Sequence, residues 1–341
     1  MKTEIVLSRT REERAKAVSE AVALLRDGET VALPTETVYG LAADALSPIA
    51  VAKIFEAKER PRFDPLIVHL PGANWLEQVA LIENETRLLS ESLIAKFWPG
   101  PLTFVLPRKK IVPDIVTAGL ETVAVRMSAH PVFAEIIREF GGPLAAPSAN
   151  RFGRISPTTA EHVRAELDGR IPLIVDAGPT THGIESTIIA AHGDKIDILR
   201  RGPITEEQLR GMGFPPITHR QDADATKISA PGQLPLHYAP KTPLQLIDDA
   251  QSFSPKPNQR CALLAWNPTK IDNRFVEIRR LSERGDLREA AANLFRSLRE
   301  LDALDIDLIV VERVPDQGLG AAIMDRLRRA SRDFDRRGTP G

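Results

Sequence analysis

The stretch Gly142-Pro-Leu-Ala-Ala-Pro-Ser-Ala-Asn-Arg-Phe-Gly-Arg-Ile-Ser-Pro-Thr-Thr159 organises the interpretation of the whole chain. Its apolar run at 144–146 predicts a buried strand, and Pro147 then removes a backbone donor that a further strand residue would supply. The next ten residues alternate hydroxyls, an amide, two arginines and a glycine. This pattern is typical of an anion-binding loop, and it is equally compatible with an ordinary polar loop.

A helix is predicted to begin directly after that loop. Ser156-Pro157 precedes it, and proline is suited to the first helical turn. Thr158 and Glu161, three residues apart, fit a capping box. Because the first N–H groups of a helix have no intrahelical partner, such a helix start suits a phosphate.

Composition limits the class of protein. A chain of 341 residues with 43% hydrophobic content can bury a sizeable core, and its length favours two domains over one. The 45 Lys and Arg residues nearly cancel the 46 Asp and Glu residues, so the bulk charge does not support a nucleic-acid footprint over the whole surface. A local basic cleft for a small anionic substrate remains open.

The single cysteine and the N-terminus point to a reducing compartment. Cys261 begins an apolar run at 261–266 and is predicted to be a buried structural thiol. One cysteine allows no disulfide and no cysteine-based zinc site within one chain. The first ten residues lack the apolar core of a signal peptide, and no apolar run approaches 18 residues. We therefore expect a cytoplasmic protein.

The first half of the chain places a second polar cluster at a strand end. A strand at 4–7 is followed by a helix that Thr10 and Glu13 can cap. A strand at 30–33 then runs into Pro34-Thr-Glu-Thr-Val-Tyr-Gly40. Open α/β sheets bind ligands at the ends of strands, so this segment is a second candidate site element.

Basic residues follow the next helix. That helix begins at Ser47-Pro48 and ends in Lys58-Glu-Arg-Pro-Arg62. Such residues often only complement the helix dipole. Here a strand at 66–70 follows at once, so the cluster is held between two core elements. His69 in that strand is either a satisfied core residue or a functional one.

Arginines also mark strand ends. Arg126 ends a buried strand at 122–127, and a buried arginine needs an anionic partner, either a structural acid or a substrate carboxylate. Arg200 and Arg201 follow a strand at 196–199. The sequence contains none of the common nucleotide, zinc-protease or serine-hydrolase motifs. Cations and hydroxyls without a metal-binding carboxylate cluster predict a site for a polyphosphate and a second anion.

The last third of the chain predicts a second domain. Residues 211–243 are rich in Pro, Asp and Thr, which is typical of a linker. Strands at 244–247, 262–266 and 308–311 then alternate with helices at 287–301 and 320–329, as in a small parallel α/β domain. The predicted domains are 1–211, a linker at 212–243, and 244–341.

Seven motifs in the chain resemble those of the Sua5/YrdC/YciO family. The resemblance implies a YrdC-like twisted open mixed sheet with helices over about residues 5–210. The segment Pro-Gly-x-x-x-x-His-Tyr-x-Pro at 231–240 and a smaller C-terminal Rossmann-like α/β domain resemble the longer Sua5 type. The motifs are Pro34-Thr-Glu-Thr-Val-Tyr-Gly-Leu41, Lys58-x-Arg-Pro, Pro65-Leu-Ile-Val-His69, Trp98-Pro-Gly-Pro-Leu-Thr103, Val123-Ala-Val-Arg126, Pro147-Ser-Ala-Asn150 and Ser186-Thr-Ile.

This resemblance implies an activity. The expected reaction is nucleotidyl transfer in which ATP, L-threonine and bicarbonate give threonylcarbamoyl-AMP, pyrophosphate and water. Mg2+ is expected with ATP. The product would pass to a tRNA threonylcarbamoyltransferase for the N6-threonylcarbamoyladenosine modification of tRNA, with weak or absent direct tRNA binding by this chain.

The resemblance also implies site residues. Lys58 and Arg60 match the Lys-x-Arg signature and are expected to be catalytic. Arg62 stands where relatives often carry a small polar residue, so it either adds to phosphate binding or points to solvent. The threonine positions are Thr35, His69, Arg126 and Ser186, and the ATP positions are Lys58, Arg60, Arg62, Thr122, Ala146, Ser148, Asn150, Ser156, Arg200 and Tyr238.

The expected chemistry depends on charge neutralisation. The carbamate of threonine and the triphosphate repel each other, so Lys58, Arg60 and Arg200 would screen the phosphates. Arg126 would form a fork on the threonine carboxylate. The linker is predicted to act as a lid in which Tyr238 reaches the nucleotide, and the alternative is a passive proline-rich connector.

Two other classes of function remain open. A module that binds double-stranded RNA or tRNA would use the same basic concavity for backbone phosphates. A carbamoyl-transfer domain that acts on another protein is the second alternative. It is disfavoured because the chain has no acylphosphatase-like region and no zinc-finger cysteines.

Overall fold

The computed structural model describes residues 2–192, 195–213, 217–219, 238–266 and 273–337, which form two compact units. The first unit contains the described residues up to 219, except 153–156 and 182–184. The second unit contains those two short segments and the described residues from 238 onward. Most of the predicted linker, including Lys227, Pro231, Pro235 and His237, lies outside the described residues. Within the described ranges no helix is both long and apolar enough to cross a membrane.

The first unit is a mixed sheet with helices. Its described strands are β1 (Glu4–Leu7), β2 (Val31–Leu33), β3 (Gly40–Asp44), β4 (Ile67–His69), β5 (Leu102–Pro107), β6 (Thr122–Arg126), β7 (Leu144–Ala145), β8 (Leu173–Asp176), β9 (Thr187–His192), β10 (Lys195–Arg200) and β11 (Ile217–His219). Its helices are α1 (Arg11–Arg26), α2 (Pro48–Lys58), α3 (Leu76–Val79), α4 (Asn84–Phe97), α5 (Asp114–Thr117), α6 (Pro131–Phe140), α7 (Ala160–Leu167) and α8 (Glu206–Arg210).

These strands form one sheet in the order β1-β8-β2-β3-β7-β4-β6-β5-β9-β10-β11. β4 and β6 are parallel, whereas β5 and β6 are antiparallel. The sheet is therefore mixed, and the predicted fold class is confirmed.

Local sequence explains where the first helices begin and end. The Thr10 hydroxyl accepts from the Glu13 N–H, and the Glu13 carboxylate accepts from the Thr10 N–H, which confirms the predicted capping box of α1. Ser47 caps α2, whose first residue is Pro48. Glu59 has a φ of 53°, so the left-handed turn there ends α2.

The predicted capping box of α7 is wrong by one residue. The N-cap is Thr159, whose hydroxyl accepts from the His162 N–H at 3.3 Å. Thr158 cannot take that role because its own N–H and hydroxyl both face His162 Nδ1 at 3.3 Å. The third residue of the helix is then His162, not Glu161, so no capping box forms.

The central strands divide their side chains between two faces of the sheet. Because successive strand residues point to opposite faces, each buried core residue is followed or preceded by one on the other face. The larger core takes one set: Val68, Phe104, Val125 and Ile189. The opposite face takes their neighbours: His69, Thr103, Arg126 and Ile188.

The second unit is a small parallel sheet with two long helices in the described residues. Its strands are β12 (Leu244–Ile247), β13 (Cys261–Ala265), β14 (Glu277–Arg280) and β15 (Leu308–Glu312), and its helices are α9 (Leu287–Asp302) and α10 (Leu319–Arg337). The order is β12-β15-β13-β14, and all pairings are parallel, as predicted. Cys261 is fully buried in β13, which confirms the structural thiol.

Candidate active site

Strand register brings His69, Arg126 and Thr103 together. His69 of β4 is paired with Arg126 of β6, and Arg126 is paired with Thr103 of β5. Directly paired residues project to the same face of a sheet and lie about 5 Å apart. The structure thus brings together two of the predicted threonine positions, and it adds Thr103, which was quoted in a motif but not assigned to the site.

All three nitrogens of the buried Arg126 guanidinium contact the protein. Nη2 lies 2.5 Å from Glu36 Oε1. Nη1 donates to Thr37 Oγ1 at 3.0 Å, and Nε donates to the Gly100 carbonyl at 3.3 Å. Of the two anionic partners considered for this arginine, the structure supplies the structural acid, Glu36.

Glu36 was missed in the sequence interpretation, although it lies in the motif at 34–40. The Ser128 hydroxyl donates to its Oε2 at 2.5 Å, while Arg126 holds its Oε1. Burial opposes ionisation of the Glu36 carboxyl, but the Arg126 charge and the two hydrogen bonds outweigh it and hold the pKa at about 2. Glu36 is therefore a carboxylate at neutral pH.

Thr35 and Thr37 continue this network in a fixed direction. The Thr35 hydroxyl donates its proton to the Val38 carbonyl at 2.6 Å. The 2.8 Å contact between the two hydroxyls must then use the proton of Thr37. Thr37 therefore accepts from Arg126 and donates to Thr35. Thr35, a predicted threonine position, closes the turn after β2.

His69 is buried and neutral. Its ring centroid lies 4.7 Å from that of Phe133. Burial, reinforced by the nearby Arg126 charge, lowers the pKa of His69 to about 3. Its Nδ1 atom has no hydrogen-bond partner among the residues that the structure describes. The ring can therefore offer a hydrogen bond to a ligand without carrying charge.

Ser186 joins the predicted threonine positions to a predicted nucleotide position. Its hydroxyl lies 2.8 Å from Thr103 Oγ1, and Arg200 donates to its hydroxyl and its carbonyl at 3.0 Å each. The segment must pass very close to Gly202, where an added Cβ would lie 2.4 Å from the Thr187 nitrogen. Arg200 and the threonine positions thus share one buried network.

Lys58 connects the end of α2 to the loop after β7. Its Nζ donates to the carbonyl of Ser148 at 2.5 Å and to that of Asn150, and its side chain is 1% exposed. Burial, and after it the Arg60 charge, lowers the pKa of Lys58 below its ordinary value. The Lys-x-Arg and Ser-x-Asn signatures therefore meet through backbone carbonyls.

Arg60 forms a buried ion pair. Its Nη2 lies 2.8 Å from Asp64 Oδ2, and it also donates to the carbonyls of Asp64 and Pro65. Its guanidinium lies 6.0 Å from the centroid of Phe152. Asp64 was not singled out, although its spacing of four residues from Arg60 was a signal of pairing.

The other predicted ATP positions of the first unit vary in exposure. Thr122 and Ser148 are half-buried, Ala146 is buried, and its N–H donates to the Ile67 carbonyl at 2.9 Å. Arg62 is exposed. Its position is compatible with the predicted orientation toward solvent, and its contact with ATP stays a prediction.

Ser156 and Tyr238 belong to the second unit, and both are buried. The Tyr238 ring is stacked on Phe295 with centroids 5.6 Å apart, and the Arg326 guanidinium lies 5.3 Å from the Tyr238 centroid. Tyr238 has a φ of 66°. The lid that it was predicted to form lies mostly outside the described residues and stays a prediction.

Comparison with known proteins covers both units. A model of the Sua5/YciO/YrdC group, described as telomere recombination, matches residues 23–202, and one described as threonylcarbamoyl-AMP synthase, C-terminal domain, matches residues 204–332. Threonylcarbamoyl-AMP synthase of Bacillus subtilis is 42% identical over 327 residues, or 92% of each chain. That of Pyrococcus abyssi is 39% identical over 91% of this chain and 93% of its own. The crystal structure of P. abyssi Sua5 complexed with L-threonine has a TM-score of 0.85 at 37% identity and covers 96% of this chain and 97% of that one.

Proposed function

This chain belongs to the Sua5/YrdC/YciO family in its long Sua5 form, and from that premise we propose that it synthesises threonylcarbamoyl-AMP. ATP, L-threonine and bicarbonate are the substrates, and pyrophosphate and water are the other products. The observation that carries this proposal is the single buried network from Glu36 through Arg126 to Thr103, Ser186 and Arg200. It joins the side chains suited to an amino-acid carboxylate with one suited to phosphate.

The reaction has two bond-forming steps. The threonine amine combines with bicarbonate to give a carbamate and water. An oxygen of the carbamate then attacks the α-phosphorus of ATP, and pyrophosphate leaves. No protein nucleophile takes part, so positioning and electrostatic stabilisation supply the catalysis. Positioning of this kind can lower a barrier by roughly 7–11 kcal/mol.

The amino acid is bound through its carboxylate at Arg126. Its two contacts to oxygen and its one ion pair use three of the five N–H groups, which leaves one N–H on each Nη atom. Those two groups suit the two oxygens of a carboxylate. The unpaired Nδ1 of His69, one strand away, offers a neutral hydrogen bond to the amine or the hydroxyl of threonine.

The phosphates are bound near Lys58 and Arg60. Two of the three N–H groups of a charged Lys58 are used on carbonyls, and the third is left for a phosphate oxygen. A bound triphosphate raises the pKa of Lys58 and restores the charge that burial disfavours. Arg60 is already fixed by Asp64, so it requires little reorganisation to face the phosphates.

ATP is used as its Mg2+ complex in this proposal. The described residues contain no group of three His, Cys, Asp or Glu side chains that could hold a metal ion. Glu36 and Asp64 each pair with an arginine. The donor set therefore does not fit a protein-held cation, and phosphate oxygens and water would ligate the ion.

The chemical class is nucleotidyl transfer, and the product is an acyl-adenylate for tRNA modification in the cytoplasm. A tRNA threonylcarbamoyltransferase consumes it, so this chain itself needs little or no affinity for tRNA. The similar charge totals, 45 basic against 46 acidic residues, support that part of the proposal.

The test is pyrophosphate release from ATP with each amino acid in turn, with and without bicarbonate. The expected result is release that requires both L-threonine and bicarbonate. Release that is independent of threonine would contradict the proposal. Salt-dependent RNA binding without threonine-dependent release would favour an RNA-binding module instead.

A further inference from the structure

Glu36 is a buried charge without an assigned role. It lies in the loop between β2 and β3, whereas its partners Arg126 and Ser128 lie at and just beyond the end of β6. Its backbone is fixed as well, because the Thr181 hydroxyl donates to the Glu36 carbonyl at 3.0 Å. Both carboxylate oxygens therefore have a partner, and the main chain that carries them is held.

The Ser128 contact extends the network to α6. The Ser128 hydroxyl donates to Glu36 and accepts from the N–H of His130 at 3.3 Å. His130 is the N-cap residue of α6. The Glu36 carboxylate is thus fixed relative to both the strand that carries Arg126 and the helix that follows it.

The Glu36 contact is the strongest of the three that orient Arg126. The other two partners, Thr37 Oγ1 and the Gly100 carbonyl, are neutral. A hydrogen bond between two charged groups is shorter and roughly twice as strong as a neutral one. An arginine side chain carries about 2 kcal/mol of rotamer entropy, so a neutral pair of contacts alone would leave its guanidinium less well fixed.

We propose that Glu36 is a positioning residue for the amino-acid substrate, which holds the Arg126 guanidinium so that its two remaining N–H groups face the substrate carboxylate. The inference rests on the proposed function and deepens it. It differs from a model in which Glu36 occupies the substrate's place and must be displaced. The Ser128 bond and the burial of Glu36 favour a fixed partner over a displaced one.

The test compares Glu36→Gln with wild type by calorimetric titration of L-threonine and, separately, of α,β-methylene-ATP. Glutamine keeps the shape and removes the charge. We expect at least tenfold weaker binding of L-threonine and less than a twofold change for the nucleotide analogue. Ser128→Ala keeps the carboxylate but frees one oxygen, so we expect a smaller loss of threonine affinity, of about two- to fivefold, with the analogue again unaffected.

Thr3→Val is the matched control. Thr3 is a buried residue just before the edge strand β1, and its hydroxyl donates to the Ile171 carbonyl at 2.6 Å. β6 lies six strands away from β1, or nearly 30 Å at the usual strand spacing. This variant should lose stability without any change in affinity for either ligand.

A readout that needs no ligand follows the Arg126 guanidinium itself. In 15N-labelled protein, the Arg126 Nε–H should exchange with water at least ten times faster in Glu36→Gln than in wild type. An unchanged exchange rate would overturn the inference. Tighter threonine binding by Glu36→Gln would also overturn it, in favour of displacement.

Two more outcomes separate the inference from simpler causes. Parallel losses for threonine and the nucleotide analogue would indicate a purely structural role and overturn it. Unchanged threonine binding in both Glu36→Gln and Ser128→Ala, with normal wild-type binding, would overturn the inference alone. Wild-type protein that binds no L-threonine would overturn the proposed function and this inference together.

Discussion

The Nζ atom of Lys58 lies 2.5 Å from the carbonyl oxygen of Ser148 and ties the last residue of α2 to the loop after β7. The same ammonium also donates to the carbonyl of Asn150. A buried amine so placed orders two main-chain segments and keeps one N–H group for a ligand. Its structural and catalytic contributions can therefore be separated by substitution.

Lys58→Ala should lower kcat/KM for pyrophosphate release by about 2–4 kcal/mol of transition-state stabilisation, because phosphate charge is left uncompensated in a buried site. Lys58→Met is the matched control for packing, since it keeps the chain length and loses the charge. It should retain more stability than alanine and lose equal activity. Near wild-type rates in folded Lys58→Met would contradict the role.

Arg60→Ala should cost both stability and activity. It leaves the Asp64 carboxylate buried without its partner, a loss of about 3–5 kcal/mol in stability. Removing both charges, in Arg60→Ala/Asp64→Ala, should recover part of that stability and none of the activity. Thermal unfolding and pyrophosphate release measure the two effects. Recovery of activity in the double variant would show that Arg60 has no direct part in catalysis.

Arg126→Lys should weaken threonine binding at least tenfold and change nucleotide binding little. A lysine has a single ammonium and cannot reach Glu36, Thr37 and Gly100 while it also forms a fork on a carboxylate. Separate titrations of L-threonine and α,β-methylene-ATP measure the difference. Equal losses for both ligands would count against the assignment.

His69 should make the first unit sensitive to acid. Its pKa is about 3 in the folded protein and about 6.5 in an unfolded chain, so below pH 6.5 the unfolded state binds the extra proton. The stability contribution of His69 is complete above pH 6.5 and falls as the pH drops toward 3. At pH 5 the loss is about 2 kcal/mol.

His69→Gln cannot take up that proton, so its stability should fall less between pH 7 and pH 5. Urea unfolding is best followed in a Trp266→Phe background, because the remaining Trp75 and Trp98 both lie in the first unit. Parallel pH dependence in the two proteins would show that His69 does not carry the effect.

Tyr238→Ala should destabilise the second unit by about 3–5 kcal/mol, because the ring is buried between Phe295 and Arg326. Tyr238→Phe keeps the stacked ring and should cost far less. If the hydroxyl also contacts the nucleotide, Tyr238→Phe will raise KM for ATP with little change in melting temperature. A normal KM in that variant would leave the ring with a packing role only.

Sequence predicted the elements whose local chemistry is strong. The capping box at Thr10 and the β-branched strands of the first unit are examples. β3 was missed because Gly40-Leu-Ala-Ala contains no β-branched or aromatic residue. β14 was missed because three of its four residues are charged, which is unusual for a strand. In both cases tertiary pairing decides the structure.

The site was predictable as a set of residues and not as a set of contacts. Motifs identified Arg126, Lys58 and Asn150, but Arg126 and Thr37 are 89 positions apart, and Lys58 and Asn150 are 92 apart. Only the register of the mixed sheet joins them. Acidic partners such as Glu36 also escaped notice, because a search for a polyphosphate site gives weight to cations.

The burial of Cys261 gives the second unit a built-in clock. The chain has one thiol, and it lies at the first residue of β13, between β14 and β15. A thiol reagent can react only when that strand is uncovered, so the labelling rate under native conditions counts opening events of this unit. Divided by the rate for the unfolded chain, it gives the opening free energy, with each factor of ten equal to about 1.4 kcal/mol.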